Sequence, residues 1–221
     1  MSASFDDVLE KAAQLQAAVP GAVLVGGTAA ALYACHRESA DNDHVIADLT
    51  ARFDSILDNV EALDGWSTSR VQAGKIILGE LGGIETGLRQ LLRSRPLEST
   101  EVDVRARKLV VPTAAEILRI KAWLTLTRNQ TRDYLDIAAL AERAGVDDAA
   151  AVLRNIDDYY ADVNRRSEAV ATQLVRQLAD PRPRDVEVTT QLSSYKGLDE
   201  RWHEWPTVTE ALGELAERIL R

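Results

Sequence analysis

The stretch that decides the fold runs from Gly26 to Val45 and reads GGTAAALYACHRESADNDHV. Four apolar residues, Ala22–Val25, precede it, and a short apolar run bounded by glycines is typical of a buried strand. The glycine pair turns the chain into a helix that we expect over residues 29–35. After a polar interval a second strand is predicted at 43–48. The order strand, helix, strand indicates a sheet with helices packed against it.

The elements outside this stretch extend the pattern in both directions. They are helices at 5–19 and 49–63, a hairpin of 75–81 and 84–92, an interrupted run at 101–111, and helices from Thr113 onward. Thr113 with Glu116 three residues later has the spacing of a capping box. We therefore predict an α+β fold, with a mixed sheet flanked by helices in a first domain (1–112) and a helical C-terminal domain (113–221). Asp180–Asp185, with two prolines, resembles a linker.

Composition places the chain among ordinary globular proteins. It has 221 residues, of which 46% are hydrophobic and 28% charged. No run reaches the roughly 18 to 20 apolar residues of a membrane span, and the beginning MSASFDDVLEK is acidic, unlike a signal peptide. We expect a soluble, cytoplasmic protein without a membrane partner, and the single Cys35 fits a reducing compartment.

The charge distribution is uneven along the chain. The formal net charge is −9, which argues against an indiscriminate binder of polyanions. Residues 86–135 nevertheless contain 10 Lys and Arg against 5 Asp and Glu. This basic zone is either a contact surface for phosphates or a solvated charged face.

Gly26, Gly27 and Thr28 form the first motif that indicates chemistry. Glycines at a strand-to-helix turn let a phosphate approach the backbone, where the N–H groups of the helix N-terminus point at it and the Thr hydroxyl adds a donor. A glycine pair by itself also fits a turn without a ligand.

Asp41 and Asp43 form the second motif. Being two residues apart at the start of a strand, their side chains project from one side of the backbone. Two carboxylates are a typical set of protein ligands for Mg²⁺ that also binds nucleotide phosphates. A solvated acidic loop is the alternative, and His44 is either a supporting donor or simply solvated.

Together these residues resemble the signature of the AbiEii-type toxin nucleotidyltransferases, which include the MenT-type toxins and share the fold of DNA polymerase β. In that pattern a Gly-Gly-Thr turn precedes a His-Arg-x-[Ser/Thr]-x-Asp-x-Asp element by about 14 residues. Here Gly27 and Asp41 are 14 residues apart, and the matching positions are His36, Arg37, Ser39, Asp41 and Asp43. The chain departs from the pattern at Asn42 and His44, where the family commonly has apolar residues.

A second block, residues 111–140, is similar to another segment of the same family. The resemblance implies that Lys121, Arg128, Arg132 and Asp136 contribute to the nucleotide site, with the cations near the triphosphate. The helix either continues through these residues or breaks at Asn129-Gln130-Thr131. Salt bridges to Asp133 and Asp136 are the structural alternative for the cations.

The resemblance also implies a third carboxylate on a later strand. Asp103 is our choice, with Glu101 on the same face of the strand as the fallback. Asp41, Asp43 and Asp103 would then hold the metal, and Asp103 would also favour the acceptor alkoxide.

These observations predict a metal-dependent nucleotidyltransferase that moves a nucleoside monophosphate from an NTP to an acceptor hydroxyl. The glycine turn, Ser39 and Lys121 would hold the leaving pyrophosphate, with Mg²⁺ as the cofactor. For the toxin branch the resemblance implies an RNA acceptor such as a tRNA 3′ end, and a cognate antitoxin as protein partner. Two alternatives stay open: a nucleotidyltransferase for a small, aminoglycoside-like acceptor, and a non-catalytic fold relative that binds a partner.

Overall fold

The computed structural model describes residues 4–221, so the first three residues of the predicted first domain lie outside the described residues. The chain forms two compact units. The first contains the chain up to Ala29 together with Ser39–Thr113, and the second contains Ala30–Glu38 together with Ala114–Arg221. The segment 30–38 thus groups with the helical unit, whereas the sequence predicted it in the first domain.

The first unit is built from three helices and seven strands, the second helix continuing into the second unit. In chain order they are α1 (Phe5–Ala18), β1 (Val23–Val25), α2 (Gly26–Ala34), β2 (Asn42–Ile46), α3 (Phe53–Glu61), β3 (Trp66–Gln72), β4 (Ile76–Leu81), β5 (Ile84–Gln90), β6 (Ser99–Val104) and β7 (Arg107–Pro112). Five strands form a mixed sheet in the order β1-β2-β5-β4-β3, in which β2 and β5 are parallel and the other pairs antiparallel. The predicted mixed sheet flanked by helices is confirmed.

One face of the five-stranded sheet is packed against α1 and α3. The core includes Leu15 and Ile56 from these helices and Ile46 and Leu88 from the sheet, all at most 1% exposed. Because side chains alternate along a strand, Asn42 and His44 share the buried face with Ile46. Asp43 lies on the opposite face, and it is partly exposed.

Two strands differ from the sequence prediction. Strand β3, WSTSRVQ, was not predicted, because all its residues after Trp66 are exposed and it has no apolar alternation. The run 101–111, described from the sequence only as interrupted, is most of the hairpin of β6 and β7, with Arg105 in the left-handed region at φ 51°. This hairpin packs against α1, where Gln16 exchanges two hydrogen bonds with the Val110 backbone.

The second unit is helical, as predicted for the C-terminal half. After the end of α2 its helices are α4 (Ala114–Thr127), α5 (Thr131–Ala144), α6 (Val146–Arg154), α7 (Asp157–Tyr160), α8 (Val170–Ala179) and α9 (Trp205–Leu220), with three 3₁₀ turns between α8 and α9. Helix α4 packs on α5, α6 and α8, and α9 packs on the same three helices. No helix among residues 4–221 combines the length and hydropathy that crossing a membrane requires.

The break between α4 and α5 decides an alternative that the sequence left open. Asn129 has φ 55°, so the helix ends there, and α5 begins at Thr131. Asn129 also donates to the Arg182 carbonyl, and the Thr131 hydroxyl donates to the Asp185 carboxylate at 2.9 Å. The segment expected to be linker-like is therefore fastened to this turn by specific hydrogen bonds.

Candidate functional site

The glycine turn begins α2 directly after β1. Gly26 has φ 74°, a conformation that side-chain-bearing residues rarely adopt. Thr28 is fully buried, and its hydroxyl donates to the backbone carbonyl of Asp41 at 2.5 Å. This bond ties the helix start to the entry of β2. Phosphate binding by the Thr28 hydroxyl and by the backbone N–H groups of the first turn stays a prediction.

Asp41 is held in place by its neighbour Ser39. The Ser39 hydroxyl donates to Asp41 Oδ1 at 2.6 Å, and Ser39 itself is buried. Ser39 was predicted to hold pyrophosphate, but its contact here orients a carboxylate. Asp41 is partly exposed and forms no ion pair within the described part of the chain.

Asp43 lies between two glycines. A Cβ placed on Gly26 would lie 3.2 Å from Asp43 Cβ, and a Cβ on Gly87 would lie 2.9 Å from Asp43 Oδ1. Gly87 is the register partner of Asp43 on the parallel strand β5. Both glycines are therefore needed to let this carboxylate sit close to the backbone, and its environment has no room for a larger residue on either side.

A cation also reaches Asp43. Arg89 lies two residues after Gly87 on the same face of β5, and its Nε is 3.5 Å from Asp43 Oδ1. The Arg89 Nη2 atom lies 3.9 Å from the position of a Cβ on Gly87. The guanidinium thus folds back along the strand toward the space that Gly87 leaves open. Its side chain is 45% exposed, so the pair is loose and contributes little to stability.

The structure does not bring the predicted third carboxylate to this pair. Asp103 lies on β6, in the separate two-stranded sheet, where it is 75% exposed and 2.6 Å from Lys108 Nζ. Glu101, the fallback, is exposed on the same strand. Within residues 4–221 no three His, Cys, Asp or Glu side chains form a cluster able to hold a metal. The acidic site consists of Asp41 and Asp43.

Glu85 is an acidic residue that the sequence reasoning missed. It lies on β5 two residues before Gly87, so it shares the face of Asp43 and Arg89, and it is exposed. The sequence signal was present in the alternation of IETGLRQ, in which Ile84, Thr86 and Leu88 are buried. That alternation places Glu85, but only the parallel pairing of β5 with β2 shows that it neighbours the aspartates.

The buried side of β2 explains the two departures from the family pattern. Asn42 donates to the Val8 carbonyl at 2.8 Å, which joins β2 to α1. His44 is fully buried, and neither ring nitrogen has a hydrogen-bond partner in the part of the chain that the structure describes. Burial lowers the pKa of His44 to about 3. Both side chains point away from Asp43, so they act on the fold and leave the presentation of the carboxylate unchanged.

The second unit holds a buried ionic network. Lys121 is fully buried, and its Nζ is 2.6 Å from Asp136 Oδ2 and 3.4 Å from Asp133 Oδ1. Arg128 donates to both oxygens of Asp133 at 2.6 Å. These are the salt bridges that the sequence offered as the structural alternative, and they give Lys121 and Arg128 other partners than the predicted triphosphate. Arg132 donates to Gln130 at 3.2 Å.

Asp136 is the centre of that network. His36 Nε2 and Arg37 Nε lie 2.8 and 2.9 Å from its Oδ1. Burial acts to raise the pKa of Asp136, but Arg37, Lys121 and His36 together hold it well below its usual range. His36 and Arg37, which belong to the family pattern, therefore fasten the segment 30–38 to α5 inside the second unit.

The basic zone provides fewer free cations than its composition suggests. Among the described residues at least six of its ten cations pair with carboxylates; they are Arg89, Arg105, Lys108, Arg119, Lys121 and Arg128. Arg93, which we expected to contact phosphate, is 4% exposed and donates to the carbonyls of Arg95 and Pro96. Arg119 and Lys121 are buried in their pairs, whereas Arg89, Arg105 and Lys108 stay exposed, so only part of this positive charge is enclosed in the fold.

Solved structures with the same architecture share little sequence with this chain. Two crystal structures from Helicobacter pylori, one of a putative nucleotidyltransferase and one of JHP933, each cover 97% of this chain at 18% identity. The match covers 92% of the first protein at a TM-score of 0.52 and 90% of the second at a TM-score of 0.51. An antigenic nucleotidyltransferase-like protein from Paracoccidioides brasiliensis covers 87% of the chain and 93% of its own at 16% identity and a TM-score of 0.52. The solution structure of the antibiotic-resistance factor ANT(2'')-Ia covers 74% of this chain and 96% of its own, at 13% identity and a TM-score of 0.53.

Curated relatives match only part of the sequence. The heme uptake protein MmpL11 of Mycobacterium tuberculosis is 41% identical over 113 residues, which is 48% of this chain and 11% of that protein. The mycolic acid-containing lipids exporter MmpL11 of Mycolicibacterium smegmatis is 43% identical over 94 residues, 42% of this chain and 10% of that protein. The chain thus spans about a tenth of the length of these relatives, and no family model matches it.

The fold is that of the nucleotidyltransferases. The five-stranded mixed sheet, the helices against it and the helical C-terminal part match those of the neighbouring structures. At these identities the likeness establishes the architecture alone. The chemistry has to be argued from the residues of this chain.

Proposed function

We propose that this protein is a metal-dependent nucleotidyltransferase, which transfers a nucleoside monophosphate from an NTP to an acceptor hydroxyl. The observation that carries this proposal is the pair Asp41 and Asp43 beside the glycine turn. Both carboxylates are partly exposed, Asp41 has no ion pair among the described residues, and Asp43 has only the loose contact to Arg89. Both carboxylates are therefore open to a cation, because no close ion pair among the described residues neutralises them.

The donor set suits Mg²⁺. This ion takes oxygen ligands and commonly binds through one or two carboxylates, completing its shell with water and substrate phosphates. Asp41 and Asp43 would hold it, and the absence of side chains at Gly26 and Gly87 lets Asp43 lie close against the backbone of α2 and β5. When bound, the ion supplies positive charge to the phosphate oxygens of the nucleotide.

The transfer itself is an in-line displacement. The acceptor oxygen forms a bond to the α-phosphorus, and the bond from that phosphorus to the bridging oxygen of the β-phosphate breaks. Pyrophosphate leaves with that oxygen and its electron pair. Backbone N–H groups of the first turn of α2 would bind the anionic phosphates, while Ser39 and Thr28 keep Asp41 in position.

The proton of the acceptor hydroxyl needs a base, and we assign this role to Glu85. It is the carboxylate on the strand next to β2 and on the same face as Asp43. Glu85→Gln keeps the size of the side chain and removes its basicity. We expect the variant to lose about 10²-fold in rate at an unchanged melting temperature, which is the usual contribution of a general base. Wild-type activity in this variant would exclude Glu85.

The acceptor is the finer part of the proposal. The resemblance to AbiEii-type toxins implies an RNA, such as a tRNA 3′ end, and a cognate antitoxin. The burial of Arg93, Arg119 and Lys121 favours a second candidate, a small hydroxylated molecule, because phosphate-backbone binding requires Lys and Arg side chains that the ligand can reach.

An incorporation assay tests the reaction and separates the acceptors. Each of the four NTPs, labelled at the α-phosphate, is incubated with Mg²⁺ and either total tRNA or a panel of aminoglycosides. Label on tRNA supports the toxin-type reaction, and label on an aminoglycoside supports the second candidate. Label that moves to neither acceptor, with no NTP binding to the protein in the presence of Mg²⁺, would overturn the proposed activity.

A further inference from the structure

Gly87 and Arg89 give this site an unusual charge arrangement. The positions on β5 that share a face with Asp43 are Glu85, Gly87 and Arg89, and Gly87 lies directly opposite Asp43 in the register. An acidic side chain at position 87 or 89 would lie next to the carboxylate of Asp43. The chain instead has no side chain at 87 and a guanidinium at 89.

Three side chains surround the position that a Cβ on Gly87 would take. Asp43 Oδ1 lies 2.9 Å, and Arg89 Nη2 3.9 Å, from where a Cβ on Gly87 would stand. Leu78 closes a third side at 3.1 Å. The glycine therefore permits the meeting of carboxylate and guanidinium, and any larger residue would separate them.

We propose that Arg89 is a catalytic cation that contacts the nucleotide phosphates and takes the place of a second metal ion, so that the site works with a single divalent ion. The inference rests on the proposed function. In two-metal sites, ions about 3.5 to 4 Å apart share bridging ligands and stabilise both the attacking and the leaving oxygen. Glu85 shares this face, but among the described residues it does not form with Asp41 and Asp43 a cluster of three side chains able to hold a metal.

Arg89 has the properties that this role requires. It is always protonated, and its planar group binds phosphate oxygens in a bidentate manner. Its side chain is 45% exposed, so a nucleotide can reach the guanidinium. Its backbone belongs to the central strand of the sheet, which fixes the position of its Cα. Within residues 4–221 its one carboxylate contact is the 3.5 Å pair with Asp43, which a bound nucleotide can exchange for phosphate oxygens at little cost.

Counting metal ions gives a readout that does not depend on turnover. Mn²⁺ is titrated by electron paramagnetic resonance against the protein with the α,β-methylene analogues of ATP, GTP, CTP and UTP, each tested singly. We expect one Mn²⁺ per chain with the analogue that binds. Two Mn²⁺ per chain would overturn the inference while leaving the proposed function intact. Absence of binding with every analogue would overturn both.

Arg89→Gln tests the side chain itself, and Arg70→Gln is the matched control. Arg70 lies on β3 on the same face of the sheet, since it pairs with Leu78, which pairs with Gly87, and it is exposed. We expect Arg89→Gln to lower kcat about 10²- to 10³-fold, as loss of one preorganised electrostatic contact does, and Arg89→Lys to restore part of it. The melting temperature should stay that of the wild type.

The control makes the outcome decisive. Arg70→Gln should retain the wild-type kcat and analogue affinity. If Arg89→Gln behaves like Arg70→Gln while one Mn²⁺ still binds with the nucleotide, Arg89 has no role in catalysis and the inference fails by itself.

Discussion

Two pairs of aspartates, one in each unit, show opposite uses of the same side chain. Asp41 and Asp43 in the first unit are partly exposed, and one loose contact to Arg89 is their only ion pair in the described chain. Asp133 and Asp136 in the second unit are fully buried and surrounded by Lys121, Arg128 and Arg37. Each pair lies in one of the two segments that resemble the same family. The difference teaches that a motif residue serves a ligand only where the fold leaves its charge uncompensated.

The largest effect should come from the exposed pair. Asp43→Asn keeps the shape of the side chain and removes the charge that binds the metal. We expect about a 10³-fold loss of nucleotide transfer, because electrostatic stabilisation of the phosphates is then lost, with an unchanged melting temperature. Steady-state rates and calorimetry check both. Full activity of the Asp43→Asn protein would remove the proposed active site.

The buried pair should respond in the opposite manner. Asp136→Asn leaves Lys121 and Arg37 buried without their shared carboxylate, and removing one member of a buried pair costs about 3 to 5 kcal/mol. We expect a fall in melting temperature of roughly 10 °C for a chain of this size. Urea unfolding gives the free energy. A stable but inactive Asp136→Asn protein would instead return Asp136 to the nucleotide site.

His44 gives a smaller effect that depends on pH. Burial lowers its pKa to about 3, from an ordinary value near 6.5. Between these values the unfolded chain binds a proton that the folded chain does not. The free energy of unfolding should therefore fall as pH falls from about 6.5 toward 3, by up to about 1.4 kcal/mol per unit.

The measurement compares wild type with His44→Leu in urea at several pH values, with EDTA present so that metal binding to the neighbouring Asp43 does not contribute. The variant should lose this part of the pH dependence. An identical dependence in both proteins would show that His44 is not the titrating group.

The smallest effect is expected at Asp103. Its ion pair with Lys108 is exposed, and such pairs contribute little to stability. Asp103→Ala should therefore change neither transfer nor stability measurably. A loss of activity comparable to that of Asp43→Asn would restore Asp103 as a metal ligand and contradict the arrangement seen here.

The sequence was informative wherever local pattern decides structure. Helix α1, strand β1 and the hairpin of β4 and β5 lie within a few residues of their predicted bounds, because each has a clear apolar period. Strand β3 has no such period, since it is an edge strand with an exposed sequence, and it could only be found through its pairing with β4.

The site was predictable in part for the same reason. Asp41 and Asp43 follow from spacing along one strand. Glu85 and Arg89 reach that region only through the parallel pairing of β2 with β5, about 40 residues away in the chain, which no local pattern contains. The partners of Lys121 likewise depend on how α4 and α5 pack.

The assignment of residues 30–38 to the helical unit has a consequence for folding during synthesis. His36 and Arg37 are separated from Asp136 by 100 and 99 residues along the chain. At typical elongation rates of about 5 to 20 residues per second, these side chains emerge from the ribosome roughly 5 to 20 seconds before the carboxylate that binds them. The strands of the first unit can pair in that interval, whereas the segment 30–38, which contains the end of α2, reaches its final contacts only after α5 has been synthesised.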